Sequence, residues 1–89
     1  MYRSVILSSI LRSTRSSTGA KITQIQYEAY LPYTQLKEYL IMMIQNKLIT
    51  YVSDEKIFKI TQDGIHVLSL YDEFDKLLVY NRQNTQMKI

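Results

Sequence analysis

Apolar residues recur at helical spacing in three segments of the first half of the chain. The first segment covers residues 3–13 and the second covers residues 21–29, and a serine- and threonine-rich loop separates them. Thr18 lies in that loop where it is able to cap the second helix. Pro32 ends the second helix and suits the first turn of a third helix over residues 33–46. The short interval between the second and third helices is typical of a helix-turn-helix.

The pattern then changes to β-branched and aromatic residues. Residues 48–52 and 57–60 predict two short strands joined by a polar turn, and therefore a β-hairpin. Thr61 is a suitable N-cap for a last helix that runs to about residue 83, and the tail 84–89 is expected to fray. The predicted fold is mainly α with a small β-hairpin. Its element order is that of a winged helix-turn-helix, with the hairpin as the wing and a long C-terminal helix.

The last helix carries a continuous apolar stripe in which several residues are spaced three and four apart, as at the core positions of a coiled coil. A helix of about 20 residues is about 30 Å long and extends beyond a core of three helices and a hairpin. We therefore expect two copies to pair along the stripe as a homodimer. The alternative is that the stripe packs back on its own domain. The expected dimer interface consists of Val67, Leu70, Tyr71, Phe74, Leu77 and Leu78.

The whole chain has a net charge of +3, and its positive charge is concentrated in the first half. Residues 1–50 hold six lysines and arginines against two acids, whereas residues 51–89 hold five against six acids. A basic surface favours binding of nucleic acid but does not require it. Phosphate contacts are therefore expected mainly in the first half.

The start of the third helix is polar, and in a helix-turn-helix this part of the motif enters the major groove of DNA. Gln35 is suited to pair with adenine, and Lys37 to reach guanine or phosphate. The simpler interpretation is a solvated helix face. Asp54 and Glu55 at the wing tip oppose a close wing contact, because they repel phosphate. The residues expected to contact DNA are Tyr33, Thr34, Gln35, Lys37 and Glu38 on the third helix, Arg12, Arg15 and Lys21 before it, and Lys56 and Lys59 on the wing.

The sequence offers little that supports enzyme chemistry. It has no cysteine, one histidine and two glycines, so neither a thiolate metal site nor a glycine-rich phosphate loop is expected. His66 stands alone, and the acids near it spread around an exposed helix face. We expect no enzyme activity, no cofactor, no small-molecule substrate and no membrane partner. The expected location is the cytoplasm, in association with the nucleoid.

The segment from Ala29 to Leu40, AYLPYTQLKEYL, is followed by Leu48-Ile49 and later by Thr61-Gln62-Asp63-Gly64. Together these residues resemble archaeal winged-helix proteins, in which an A-x-L-x-Y-x-Q-L-x-x-Y-L stretch spans the turn and third helix and T-x-x-G follows the wing. The resemblance covers about residues 4–80 and extends to the small dimeric archaeal DNA-binding proteins whose last helices form an antiparallel coiled coil. It implies DNA binding through the third helix and wing, and dimerisation through the last helix.

The leading hypothesis is a dimeric winged-helix protein that binds double-stranded DNA as a transcriptional regulator or a chromatin-associated protein. Residues 1–64 would form the DNA-binding domain, and residues 65–89 the dimerisation helix and its tail. One rival is a winged helix used only for contacts with other proteins. A second rival is a metal- or ligand-dependent sensor, for which the sequence offers only His66.

Overall fold

The computed structural model describes the backbone of residues 2–87 and the side chains of residues 3–78. Four helices and two strands follow one another in the predicted order, and the predicted fold class is confirmed. The elements are α1 (Tyr2–Thr14), α2 (Ile22–Ala29), α3 (Tyr33–Gln45), β1 (Ile49–Val52), β2 (Ile57–Ile60) and α4 (Gln62–Met87).

The core lies where the first three helices meet the wing, which is the hairpin of β1 and β2. Leu36, Leu40 and Met43 recur at intervals of four and three along α3, and all three are buried. Ile10 of α1 and Ile25 of α2 are fully buried against them in the same cluster. Burying an aliphatic side chain of this size contributes about 1.5–3 kcal/mol. The polar face of α3 is consequently fixed outward.

The turn between α2 and α3 depends on a residue with left-handed backbone. Tyr30 has φ 55° and ψ 45°, and its N–H donates to the carbonyl of Gln26 at 3.0 Å. Leu31 is then buried, and Pro32 occupies the N-cap position of α3. These residues hold the start of α3 beside the end of α2, as in a helix-turn-helix.

A third segment of the chain pairs with the wing, and the sequence pattern does not predict it. β1 and β2 pair antiparallel over their full lengths, and Ala20 then adds to the other side of β2 by exchanging two backbone hydrogen bonds with Phe58, at 2.8 and 2.9 Å. Gly19 has φ 74°, and a side chain there would lie 2.8 Å from the carbonyl oxygen of Phe58. Glycine is therefore required at the point where the loop meets the sheet.

This bridge explains why the expected cap of α2 is wrong. The chain runs along β2 after Gly19, so Thr18 is held away from α2, and its hydroxyl lies 3.4 Å from that of Ser16. The N-cap position belongs to Lys21, whose side chain makes no capping hydrogen bond.

A second left-handed residue ends α3. Lys47 has φ 61°, its N–H donates to the carbonyl of Ile44, and the next N–H, that of Leu48, donates to the carbonyl of Met43. This pair of bonds is a Schellman motif, which satisfies helix carbonyls and turns the chain directly into β1.

Thr61 caps α4, as predicted. Its hydroxyl accepts from the N–H of Gly64 at 3.0 Å and lies 2.6 Å from the carbonyl oxygen of Lys47. Its own N–H donates to the carbonyl of Leu48 at 3.0 Å. One threonine thus fastens the first turn of α4 to the junction of α3 and β1.

The first half of α4 packs on the domain through Leu68, which is 2% exposed. The guanidinium Nη2 of Arg12 donates to Oδ1 of Asp72 at 2.6 Å and adds a polar tie between α1 and α4. The backbone of α4 continues to Met87, beyond its predicted end near residue 83. Residues 88 and 89 of the expected tail lie outside the described residues.

Candidate nucleic-acid interface

The polar start of α3 faces solvent. Tyr33 follows Pro32 directly, and the five residues of α3 expected to contact DNA are all exposed. The intervening Leu36 is fully buried, so its packing sets the direction in which these side chains point. For comparison, the major groove of B-DNA is about 12 Å wide and admits an α-helix.

One flank of α3 forms a groove with the wing, which we call the α3–wing groove. Its volume is about 370 Å³. Its polar lining residues are Lys37, Lys56 and two tyrosines. The lining residues are Ile22, Tyr33, Lys37, Leu40, Ile41, Ile44, Tyr51, Lys56 and Phe58.

Lys37 and Tyr33 interact within this groove. The Nζ of Lys37 lies 5.6 Å from the centre of the Tyr33 ring, within the range of a cation–π contact. Across the groove, the rings of Tyr51 and Phe58 are tilted against each other with centroids 4.8 Å apart. The aromatic residues therefore shape both walls, while the lysines bring positive charge to them.

The other flank of α3 faces α1 and has mixed charge. Gln35, Glu38 and Arg3 line this α1–α3 groove together with Ile6, Tyr39 and Met42, and its volume is about 430 Å³. Gln35 and Lys37, which are two positions apart, thus lie on opposite flanks of the same helix. Arg3 is an exposed cation beside α3 that the sequence reasoning missed, because it is far away along the chain.

The wing tip combines both signs of charge. Asp54, Glu55 and Lys56 are all exposed, and Lys56 has a left-handed backbone with φ 55°. Lys59 lies further back on β2, half-buried and opposite Thr50 of β1. Of the wing lysines, only Lys56 lines the α3–wing groove.

The three predicted cations before α3 are exposed but differ in their contacts. Arg12 is held by Asp72 on α4, so its charge is already partly neutralised. Arg15 and Lys21 make no ion pair with any described residue. They stand at the two ends of the serine-rich loop, which positions them to meet an anion without first breaking a contact.

The apolar stripe of α4 divides into two parts. Val67 and Tyr71 are partly buried against the core, as the alternative of packing on the same domain requires. The remaining four residues are between 42% and 60% exposed: Leu70, Phe74, Leu77 and Leu78. A groove of about 740 Å³, the α1–α4 groove, runs beside them and is lined by Ser4, Val5, Ser8, Leu70, Tyr71, Phe74, Asp75 and Leu78.

A family model described as winged helix-turn-helix matches residues 2–79. The chain belongs to the winged helix-turn-helix family. A solved structure is similar over most of both chains: Sso10a-2, a DNA-binding protein from Sulfolobus solfataricus. It is 25% identical in sequence, has a TM-score of 0.70, and the match covers 94% of this chain and 90% of that one. The resemblance to archaeal winged-helix proteins is thereby confirmed. Comparison with curated proteins gives no match.

Within this winged helix, sequence reasoning missed several exposed apolar groups near α3. Ile41 is 52% exposed in the middle of the helix, and Tyr51 extends from β1 into the α3–wing groove. Tyr27 and Tyr30 stack on each other with ring centroids 6.4 Å apart. The available signal was the helical position of Ile41, which lies about 100° around the helix from Leu40 and about 140° from Leu36, and so off the buried stripe.

The described part of the winged helix contains no group of three or more histidine, cysteine, aspartate or glutamate side chains arranged to hold a metal ion. His66 is exposed on α4. Among the described residues, no helix combines the length and the apolar character needed to span a bilayer.

Proposed function

We propose that the protein is a homodimer that binds double-stranded DNA, with α3 of each protomer in the major groove. The observation that carries this proposal is the exposed polar start of α3, flanked by Lys37 and Lys56, in a winged helix-turn-helix chain. The structurally similar Sso10a-2 is a DNA-binding protein, which supports the same function.

The contacts divide by their chemistry. Gln35 and Thr34 project from the first turn of α3 and are suited to base edges and thymine methyl groups. Glu38 at the same surface is suited to accept from a cytosine amino group. Tyr33, Lys37 and Lys56 are suited to phosphates, and so are Arg15 and Lys21 beside the serine-rich loop. Lys59 and the Asp72-bound Arg12 are expected to contribute less, because one is half-buried and the other is paired.

Dimerisation uses the exposed part of the α4 stripe. In a monomer, Phe74 and Leu77 would leave about 60% of their surface in water, at 59% and 60% exposed. A second α4 laid along the first would remove this surface from water at a gain of roughly 25 cal/mol per Å². We assign DNA binding to residues 1–64 and dimerisation to residues 65–89, and α4 itself begins at Gln62.

Two-fold pairing would make the two α3 helices equivalent, and they would meet successive major grooves if they are spaced about 34 Å apart. The protein would act in the cytoplasm, on nucleoid DNA. A nuclease footprint distinguishes the two roles that remain: a regulator protects a short defined site, whereas a chromatin protein protects DNA along its length.

The test is binding of a fluorescent duplex, measured by anisotropy at increasing salt. Four cationic contacts from each protomer, eight in the dimer, predict that affinity falls roughly 10⁴-fold between 50 and 200 mM salt, because bound counterions are released. The variant Lys37→Ala is expected to weaken binding to every sequence, whereas Lys76→Ala on α4 is the matched control and should not. Affinity that is independent of salt, or equal in parent and Lys37→Ala, would refute the phosphate contacts.

A second candidate, a winged helix that contacts only other proteins, is favoured by one observation. Tyr27 and Tyr30 form a stacked pair, and the two residues are 77% and 85% exposed. Large aromatic rings exposed side by side are typical of surfaces that contact other proteins. The same anisotropy measurement decides between the two candidates: absence of binding to duplex DNA at low salt would favour protein contacts.

A further inference from the structure

We propose that the α3–wing groove also binds a small amphiphilic carboxylate, a molecule with one anionic head and a short apolar body, and that this ligand competes with DNA. Binding of the ligand rests on the groove alone. Its effect on DNA rests in addition on the proposed function.

The lining of the groove is mostly apolar and in part accessible. Leu40 and Phe58 are buried members of the lining, whereas Ile41, Ile44 and Tyr51 are 37–52% exposed. An apolar body placed between α3 and the wing would cover these side chains. The gain is up to about fourfold in affinity for each methylene group moved out of water.

The volume limits the size of the ligand. Ligand-binding clefts commonly measure about 300–1,000 Å³, and the α3–wing groove, at about 370 Å³, lies near the lower end. The groove therefore suits a short alkyl chain or one aromatic ring rather than a nucleotide or a large cofactor.

The charge of the groove selects an anion. Lys37 and Lys56 both line it, and no acidic residue does. Lys37 is held over the Tyr33 ring, so its ammonium is already positioned at the wall. Lys56 has a left-handed backbone, a conformation that favours glycine. A lysine at this position therefore costs backbone conformational energy that a glycine would not.

The other two grooves do not share this combination. The α1–α4 groove is larger and apolar, but its one charged lining residue is Asp75, which repels a carboxylate. The α1–α3 groove holds Arg3 together with Glu38, so its charges offset each other. Among these three, only the α3–wing groove combines a mostly apolar lining with charged lining residues that are all basic.

Competition with DNA follows from the shared lysines. Lys37 and Lys56 are the groups that we assign to phosphates, and one ammonium cannot serve a bound carboxylate and a DNA phosphate equally well. A ligand that binds only the DNA-free protein lowers the apparent DNA affinity by the factor 1 + [L]/Kd. A rising concentration of a small carboxylic acid would thereby lower the fraction of DNA that is bound by the protein.

The first test compares octanoate with octanol by calorimetry and by amide NMR shifts on the full chain. We expect octanoate to bind more tightly than octanol and to shift amides of α3, β1 and β2. The double variant Lys37→Gln/Lys56→Gln should weaken octanoate roughly three- to tenfold and leave octanol unchanged. Lys76→Gln, on α4 and away from the groove, is the matched control.

Three outcomes would overturn the site: equal affinity for octanoate and octanol, an equal loss in Lys76→Gln, or shifts confined to α1 and α4. The second test adds octanoate to the protein–DNA complex, and we expect displacement that is lost in the double variant at matched DNA occupancy. Octanoate binding without displacement would refute the competition. Octanoate binding by a protein that does not bind DNA would leave the site standing and refute the proposed function instead.

Discussion

Gly64 provides a test of how α4 is fastened to the domain, because two effects of replacing it by alanine have opposite signs. A Cβ at this position would lie 2.2 Å from the carbonyl oxygen of Leu48 and 2.7 Å from Cγ1 of Ile60. Helix propensity alone predicts that Gly64→Ala stabilises α4 by about 1 kcal/mol. The packing predicts the reverse.

The magnitude follows from the movement that the new methyl group requires. To bring the 2.2 Å contact to an ordinary distance, the first turn of α4 must move by about 1 Å away from Leu48. Thr61 holds that turn through its bonds to Lys47 and Leu48 at 2.6–3.0 Å, so these bonds must stretch. Overpacking costs about 1–3 kcal/mol and weakened hydrogen bonds about 0.5–1.5 kcal/mol each. After the gain in helix propensity, Gly64→Ala should destabilise the protein by about 2–4 kcal/mol.

The assay is denaturant unfolding followed by circular dichroism, at one fixed protein concentration because a dimer's stability depends on it. Ser69→Ala is the matched control, since Ser69 is exposed on the same helix; its unfolding free energy should change by no more than about 0.5 kcal/mol. A Gly64→Ala protein as stable as the parent would refute the close contact between α4 and Leu48.

Three further predictions concern the proposed dimer, the start of α3 and the end of α3. Phe74→Asp should convert the proposed dimer to monomers, because it places a charge in the exposed apolar stripe; an unchanged sedimentation coefficient would move the interface elsewhere. Gln35→Ala should relax base preference by about 1–3 kcal/mol at one position of the site. Competition with single-base variants of the duplex measures this, and an unchanged preference would remove Gln35 from the base contacts. Lys47→Gly should stabilise the protein by about 0.5–1 kcal/mol, because glycine adopts its left-handed backbone without strain; thermal unfolding checks it, and a lower melting temperature would contradict it.

The element order was predictable because each helix and strand has its own periodicity. The stripe of Leu36, Leu40 and Met43 identifies α3 from spacing alone, and Thr61 shows its capping role by residue type and position. Features that join distant parts of the chain leave no such local signal. The Ala20–Phe58 bridge involves a single residue on one side, so it has no alternation from which a strand is recognised.

The sequence was sufficient to predict which part of the chain forms the candidate site, but not the shape of the grooves there. Residue numbers put Gln35 and Lys37 in one turn of α3, yet only the direction of the core shows that they line different grooves. Arg12 was a candidate cation by type, and its pairing with Asp72, 60 residues later, depends on how α4 crosses α1. Arg3 and Tyr51 each line one of these two grooves from another element, which no local pattern reveals.

The bridge between Ala20 and Phe58 also affects the tendency of the protein to aggregate. β2 is rich in β-branched and aromatic residues, and the unpaired edge of such a strand can pair with a strand of a neighbouring molecule. Because β1 lies on one side of β2 and Ala20 on the other, the backbone of Phe58 has no open edge to offer another chain. Loss of the bridge, for instance through Gly19→Val, would expose that edge, and the expected result is precipitation at protein concentrations that the parent tolerates.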